Sequence, residues 1–446
     1  GEELADFVGG LKSGEALQVI RSFSTYFQMV NTAEKVHRIR RRREYLRDVV
    51  HFQPGGLEDT LIKLKASGLT ADGLKDLLNS LSIEPIFTAH PTEPTRRTIL
   101  RKEQNIVKHL VTLLNPTMTP HETNSALQNI RLLATTGWQT DEHPSEQMTV
   151  ADELEHVLFF VTDVLYRAIP PFYENIDTAI HRIYGEEGDA IEVPNVLHFG
   201  SWVGGDMDGN PNVNAKTIRA TLARQRSLIL DLYYNECAAI GVKLSQSAER
   251  ISFGQGILDK IDEYRVVFPN AYHAVPARHR NMPYRIFLRL IQQRLQSTYD
   301  DDVFPYEKVS QLVDDIQLIA DSLTENKGEQ AGLFAVQRLL RRIHTFEFHM
   351  VTLDIRQDSE VHRNVVGEIL GEEDWDEMSA TDRAARISEA IESRESVPIN
   401  LSTQARKTIA IFQAVAFCRR KYGAKAIGPF IVSMTQGADD ILSVIL

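Results

Sequence analysis

Three clusters in this sequence combine residue types and spacings that chemistry can use. The first is Phe87-Thr88-Ala89-His90-Pro91-Thr92-Glu93-Pro94-Thr95-Arg96-Arg97. A histidine is the side chain that most readily exchanges a proton near neutral pH. Pro91 and Pro94 restrict the backbone around His90. Arg96, Arg97 and Arg101 add fixed positive charge where a helical segment begins, and backbone N–H groups at a helix start favour an anion. A proton-transfer group beside an anion site is an enzyme-like pairing; the plainer reading of one histidine in a proline-rich loop is structural.

The second cluster is Gly200-Ser201-Trp202-Val203-Gly204-Gly205-Asp206-Met207-Asp208-Gly209-Asn210-Pro211-Asn212. Gly204, Gly205 and Gly209 permit positive φ and close approach of a ligand. Asp206 and Asp208 can orient a basic group or a cation. The spacing resembles a calcium loop, but the bidentate Glu that closes such a loop is missing. A structural Asp/Gly/Asn turn is the alternative. The third cluster, Asp354-Ile355-Arg356-Gln357-Asp358-Ser359, offers Arg356 for bidentate anion binding, or for an ion pair with Asp354 or Asp358.

These clusters need elements to hold them. Short apolar runs precede each one: Ile83 to Phe87, Val196 to Phe199 and Phe346 to Leu353, with a fourth run from Ile427 to Met434. Helical patterns separate them. Polar, conformationally special residues discharged at strand C-termini are the arrangement of parallel α/β barrels, and an open doubly wound sheet would do the same. The expected fold is therefore α/β and mostly helical: a partial (β/α) barrel of the TIM type with many extra helices. Residues 1–80 form an N-terminal helical region and residues 81–446 the first half of the barrel with helical insertions. The chain opens on Gly1 and stops inside an apolar pattern at Leu446, so it is expected to be part of a longer protein.

Other features read as support. Leu17, Ile20, Phe23, Phe27 and Val30 recur at helical steps and make one apolar face, with Ser13 expected to cap the helix. Arg38 to Arg43 could grip nucleic acid, or form a solvated face paired with Glu34, Glu44 and Asp48. Thr140-Asp141-Glu142-His143 reads as a metal group or, more plainly, a polar loop. Pro170 and Pro171 are expected to break or kink a helix between Val150 and Tyr184. The 446 residues are 43% hydrophobic and 25% charged with a net charge of −12, an ordinary globular composition that argues against broad nucleic-acid binding. Cys237 and Cys418 give no disulfide framework or metal spacing. No apolar run has membrane-spanning length, and a reducing cytoplasm is the expected compartment.

Taken together, four motifs in order resemble the phosphoenolpyruvate carboxylase family: Phe87-Thr88-Ala89-His90-Pro91-Thr92-Glu93 with Arg96-Arg97, Ser201-Trp202 with Gly204-Gly205-Asp206 and Asp208-Gly209-Asn210-Pro211, Leu353 to Ser359, and Ile431 to Met434. The resemblance covers essentially the whole chain. It implies a lyase that fixes carbon dioxide, condensing bicarbonate with phosphoenolpyruvate to oxaloacetate and phosphate through carboxyphosphate and an enolate, as a supply to the tricarboxylic acid cycle. By motif match, His90 is the base, Arg356 binds the substrate phosphate, Trp202 lines the dry pocket, and Arg96 and Arg97 match residues that bind phosphorylated activators. Gly204, Gly205, Asp206, Asp208 and Asn210 structure the loop.

The resemblance also implies Mg²⁺ or Mn²⁺ with ligands expected beyond residue 446, a cytoplasmic homotetramer, and neither nucleic acid nor membrane as partner. No metal ligand is expected within this chain, which alone should be inactive. Met207 stands where the family usually carries a basic residue, and His143-Pro144-Ser145-Glu146 replaces a basic continuation. Two other readings remain at this point: a phosphotransfer enzyme with His90 as covalent nucleophile, and a helical binder using Arg38 to Arg43.

Overall fold

The computed structural model describes residues 8–48, 51–88, 95–142, 148–394 and 400–446. The chain forms two compact units. One takes residues 1–73, 90–148 and 176–191, the other residues 74–89, 149–175 and 192–446. Both are dominated by helices, and the strands lie in the second. Among the described residues no helix is long and apolar enough to cross a membrane.

In the first unit a 35-residue helix, α1 (Ser13–Arg47), packs on α4 (Arg97–Thr112) and α5 (Pro120–Trp138). Its cap is Lys12 rather than Ser13, because the Glu15 carboxylate reaches back to accept from the Lys12 N–H at 3.0 Å. In chain order α2 (Leu57–Ala66), in the first unit, and α3 (Ala71–Ser80), most of which belongs to the second, are separated at Gly68, whose φ of +94° a side chain would resist. The side of α1 that meets the unit carries polar anchors beside the part-buried Met29, Val36 and Ile39. Thr32 is buried there, Ser24 Oγ and Gln28 Nε2 donate to Glu142 at 2.8 and 2.9 Å, and Arg21 pairs with Asp141 at 3.2 Å. Asp141 and Glu142 therefore anchor α1. The basic run on α1 is paired within the helix: Arg38 with Glu34, and Arg40 and Arg41 with Glu44.

In the second unit the described strands form one parallel sheet in the order β1 (Ile86–Phe87), β2 (Gly200–Ser201), β3 (Thr352–Asp358), β4 (Ile427–Ser433). Chain order equals spatial order, and helices connect each pair. Extended pairing between the first two runs continues beyond the short strands: Ile83 N donates to the Val196 carbonyl, His198 N to Ile83, Gly200 N to Pro85 and Trp202 N to Phe87, all between 2.8 and 3.1 Å. The expected strand at Val196–Phe199 is thus the first part of a longer pairing whose ladder lies at Gly200–Ser201.

The third strand is displaced further. Phe346 ends a helix, α12 (Leu333–Phe346), and Glu347 (φ +44°) and Met350 (φ +65°) turn the chain before β3 begins at Thr352. The run is apolar because it is buried in either form, which periodicity cannot resolve. Under β3 and β4, Leu353, Ile355 and Ile427 pack with Ile218 and Leu222 from α8 (Ala215–Lys243) and with Ile411 and Cys418 from α15 (Thr403–Tyr422).

The double proline does not break its helix. α6 (Val150–Phe160) passes through a π-turn at Val161–Leu165 into α7 (Tyr166–Tyr184), which contains Pro170 and Pro171. Pro170 has no N–H to give to the carbonyl four residues back. Arg342 of α12 supplies the replacement: its Nε donates to the Tyr166 carbonyl at 2.9 Å, its Nη1 pairs with Glu236 at 2.8 Å, and the guanidinium stacks on the Tyr166 ring.

Arg342→Met should leave that carbonyl and Glu236 without their buried donor, costing about 2–4 kcal/mol in urea unfolding. Pro170→Ala, which restores a backbone N–H, should recover roughly 1 kcal/mol in the Arg342→Met protein and little in the parent. Equal effects of Pro170→Ala in both backgrounds would rule out this substitution of donors.

Candidate active site

The polar residues gather at the C-terminal end of the sheet, where β2 runs into its glycine-rich loop. Trp202 is the first residue after β2, and its N–H donates to the carbonyl of Phe87, the last residue of β1. The loop then turns sharply. Gly204 has φ +92°, and a methyl group there would collide with Thr221 Oγ1; one at Gly205 would collide with the Asp354 carbonyl oxygen. These two glycines let the loop lie flat against β3. The Gly205 carbonyl accepts from Arg356 N–H and the Arg356 carbonyl accepts from Met207 N–H, both at 2.9 Å. Met207 is partly buried and packs on the core beneath the sheet.

That backbone pairing brings Arg356 to the loop's carboxylates. Arg356 Nη2 lies 3.2 Å from Asp208 Oδ2, Nε lies 3.9 Å from Asp206 Oδ1, and the guanidinium carbon sits 4.8 Å from the centre of the Trp202 ring. A cation over an indole face is held by the ring quadrupole. Arg356 is therefore paired across the sheet, not with Asp354 or Asp358 on its own strand. Its Nε is buried without a hydrogen-bond partner.

Asp206 is buried and its Oδ1 also accepts from Gly209 N–H at 3.0 Å, while its carbonyl accepts from Asn210 N–H at 3.2 Å. Asn210 closes the turn by accepting from Asn212 N–H at 3.0 Å. The loop ends on Asn214, whose side chain caps α8.

One member of the cluster was not singled out from the sequence. Asp354 points to the opposite side of β3 from Ile355, is buried, and accepts from Trp202 Nε1 at 3.2 Å through Oδ2. Its Oδ1 is buried with no partner, against Gly428 of β4, where any side chain would overlap it. Burial pushes the Asp354 carboxyl up to about 6, the Trp202 hydrogen bond opposes this, and the Glu84 carboxylate adds to the rise. Asp354 thus fixes the indole on which Arg356 rests. The sequence signal was present as a second carboxylate two residues before Arg356, on the same face of a strand.

His90 lies outside the described residues, as does the segment His143 to Glu146. Arg96 and Arg97 belong to the first unit, where they open α4; Arg96 N–H donates to the Glu142 carbonyl at 2.9 Å. Among the described residues no group of three or more His, Cys, Asp or Glu side chains is arranged to hold a metal ion. Asp206 and Asp208 are directed at a guanidinium, so the residues present do not fit a metal centre.

A family model described as phosphoenolpyruvate carboxylase matches residues 1–446. The chain belongs to the phosphoenolpyruvate carboxylase family. It is 44% identical over 443 residues to the phosphoenolpyruvate carboxylase of Xanthomonas oryzae pv. oryzae, covering 99% of this chain and 49% of that protein. It is 32% identical over 465 residues to that of Aromatoleum aromaticum, and 30% identical over 462 residues to that of Ralstonia nicotianae; all of this chain is covered, with 50% and 46% of those proteins. The chain spans about half the length of the curated relatives it matches. In this chain the cluster is built from Asp354 and Arg356 on β3 and from Trp202, Asp206 and Asp208 in the loop after β2.

The raised carboxyl at Asp354 makes a signed prediction. Between about pH 4 and pH 6 the folded protein keeps a proton that the unfolded chain gives up, so this group makes stability fall as pH rises through that window. Asp354→Asn should remove that part of the slope. In the parent protein, Trp202 fluorescence should change with a midpoint near pH 6, and Trp202→Phe should abolish the titrating component. A fluorescence profile unaltered by Asp354→Asn would disprove the link.

Proposed function

We propose that this chain contributes to a phosphoenolpyruvate carboxylase, condensing bicarbonate with phosphoenolpyruvate to give oxaloacetate and phosphate. The observation that carries this reading is the guanidinium of Arg356, held at the C-terminal end of a parallel sheet by Asp206, Asp208 and the Trp202 ring. Consecutive parallel strand order with helical connections supports the further reading of this sheet as the first half of a TIM-type barrel within residues 81–446, with residues 1–80 as an N-terminal helical region.

In this mechanism Arg356 binds the phosphate of phosphoenolpyruvate by its planar fork, which a lysine cannot reproduce. Bicarbonate oxygen attacks phosphorus, the bond from phosphorus to the enol oxygen breaks, and carboxyphosphate and the enolate of pyruvate form. His90, three residues beyond the end of β1, takes the carboxyphosphate proton; carbon dioxide is released and phosphate departs. The enolate carbon then attacks carbon dioxide to complete oxaloacetate. Trp202 covers the site with an apolar ring, which keeps water from protonating the enolate. Arg96 and Arg97 are proposed to bind a phosphorylated activator.

Mg²⁺ or Mn²⁺, used in the family, would polarise the enolate oxygen. Its ligands must come from side chains other than those of the cluster. A cytoplasmic homotetramer completes the reading.

The test is oxaloacetate formation, coupled to NADH oxidation by malate dehydrogenase. The 446-residue chain alone should give no turnover. The chain joined to the second half of the Xanthomonas oryzae relative should give it. In that protein His90→Asn should lower kcat by about 10²–10⁴-fold, and Arg356→Lys should raise KM for phosphoenolpyruvate by at least about tenfold. A folded, joined protein without turnover would overturn the reading, and acid-labile phosphohistidine at His90 would favour phosphotransfer instead.

A further inference from the structure

The motif Ile431 to Met434 lies at the end of β4, and the register of that strand decides which way it faces. Leu353 of β3 pairs with Ile427 of β4, but Ile355 pairs with Phe430. Two steps along β3 match three along β4, so β4 carries one extra residue, a β-bulge at Gly428-Pro429. The local sequence accounts for it. Pro429 has no N–H to give to a ladder, and a methyl group at Gly428 would overlap Asp354 Oδ1 and crowd Thr352.

One extra residue reverses the faces of everything beyond it. Ile427 packs with Leu353 and Ile355 on the helix side of the sheet. By plain alternation Pro429, Ile431 and Ser433 would share that side. Past the bulge Phe430 takes the helix side instead: it packs on the same cluster and stacks on Phe412 of α15, with 5.3 Å between ring centres. Ile431 and Ser433 therefore turn to the opposite face, the one that carries Asp354 and Arg356 on β3. There Arg356 pairs with Ile431, and Asp358 with Ser433.

Ser433 stands on a fixed backbone. Beyond it Met434 is held at φ +56°, and its carbonyl accepts from Ser359 Oγ at 3.1 Å, where α13 (Ser359–Leu370) begins. The buried Asp440 of α16 (Ala438–Ile445) accepts from Gln436 N–H at 2.8 Å and from Arg363 Nη2 at 2.7 Å. A left-handed backbone at a residue with a side chain persists only where its surroundings enforce it. The Ser433 hydroxyl itself reaches the Gln357 carbonyl only at 3.5 Å, too long for a strong hydrogen bond.

The placement fits an oxyanion. Asp206 and Asp208 approach the Arg356 guanidinium from the loop after β2, while its Nε is buried with no hydrogen-bond partner. β4 lies on the other side of β3 from β2. Two residues at about 3.3 Å and one strand spacing of about 4.8 Å put the Cα atoms of Arg356 and Ser433 about 8 Å apart. A phosphate between the two side chains can accept from the guanidinium and from the hydroxyl at once. Ile431, level with Arg356, has no side-chain donor, so Ser433 is the one that β4 supplies.

We propose that Ser433 is a substrate-binding residue whose hydroxyl donates to the phosphate held by Arg356, and that the bulge at Gly428-Pro429 is what turns it to the site. The inference deepens the carboxylase reading and rests on its assignment of Arg356 to the phosphate.

The test uses the chain joined to the second half of the Xanthomonas oryzae relative. With Mg²⁺ present it is titrated calorimetrically with phosphoglycolate, which carries a phosphate, and with oxalate, which resembles the enolate without one. Ser433→Val and Ser433→Thr have nearly equal shape and differ by a hydroxyl, so damage to packing falls on both. Ser433→Val should weaken phosphoglycolate binding about tenfold, the loss of one hydrogen bond to a charged group, and Ser433→Thr should stay within about twofold of the parent. Oxalate should bind all three alike. In the turnover assay Ser433→Val should raise KM for phosphoenolpyruvate by a similar factor with kcat little changed.

Equal phosphoglycolate affinities for the two variants, in a joined protein that turns over, would overturn the proposal and leave the carboxylase reading standing. Oxalate binding weakened as much as phosphoglycolate binding in Ser433→Val would also overturn it, since the phosphate would then not be what the hydroxyl touches. Failure of the parent to bind phosphoglycolate would do the same. A joined protein that binds phosphoglycolate through Ser433 without turnover would uphold the contact and overturn the carboxylase reading.

Discussion

The candidate site depends on a guanidinium that is held before any substrate arrives. Arg356 projects from a strand, but its direction is set by a neighbouring loop: Asp208 at 3.2 Å, Asp206 at 3.9 Å and the Trp202 ring at 4.8 Å. An arginine side chain carries much rotamer entropy, and fixing it beforehand removes that cost from binding. The remaining features of the site can be understood as conditions for this one placement. Gly204 and Gly205 let the loop approach β3, two backbone hydrogen bonds lock the register, and Asp354 fixes the indole from behind.

Those conditions are costly locally. Asp354 has a buried oxygen with no partner, Arg356 has a buried Nε with none, and Gly204 holds a left-handed backbone. Unsatisfied buried polar atoms are uncommon in folded proteins and concentrate where a function needs them. Here two such atoms, Asp354 Oδ1 and Arg356 Nε, fall within one cluster at the C-terminal end of a parallel sheet. The same economy appears away from the site, where the carbonyl freed by Pro170 is served by Arg342 rather than left empty.

Much of the site was legible in the sequence. Trp202, Asp206, Asp208 and Arg356 were marked by residue type, by glycine spacing and by their position after apolar runs, and the turn positions were marked by Gly204 and Gly68. These are local properties: side-chain chemistry and allowed φ follow from the residue itself. What the sequence left open was partnership. Arg356 had carboxylates two residues away on either side, yet it pairs with two that lie nearly 150 positions earlier, because strand pairing makes those the nearer ones. The boundaries of β3 and the continuity of α7 through two prolines were left open for the same reason: a buried apolar run fits helix or strand alike, and a missing N–H breaks a helix only where no other donor reaches the carbonyl. Sequence by itself determined which groups are available; tertiary structure alone decided which of them meet, since contact between distant residues is a property of the packed chain.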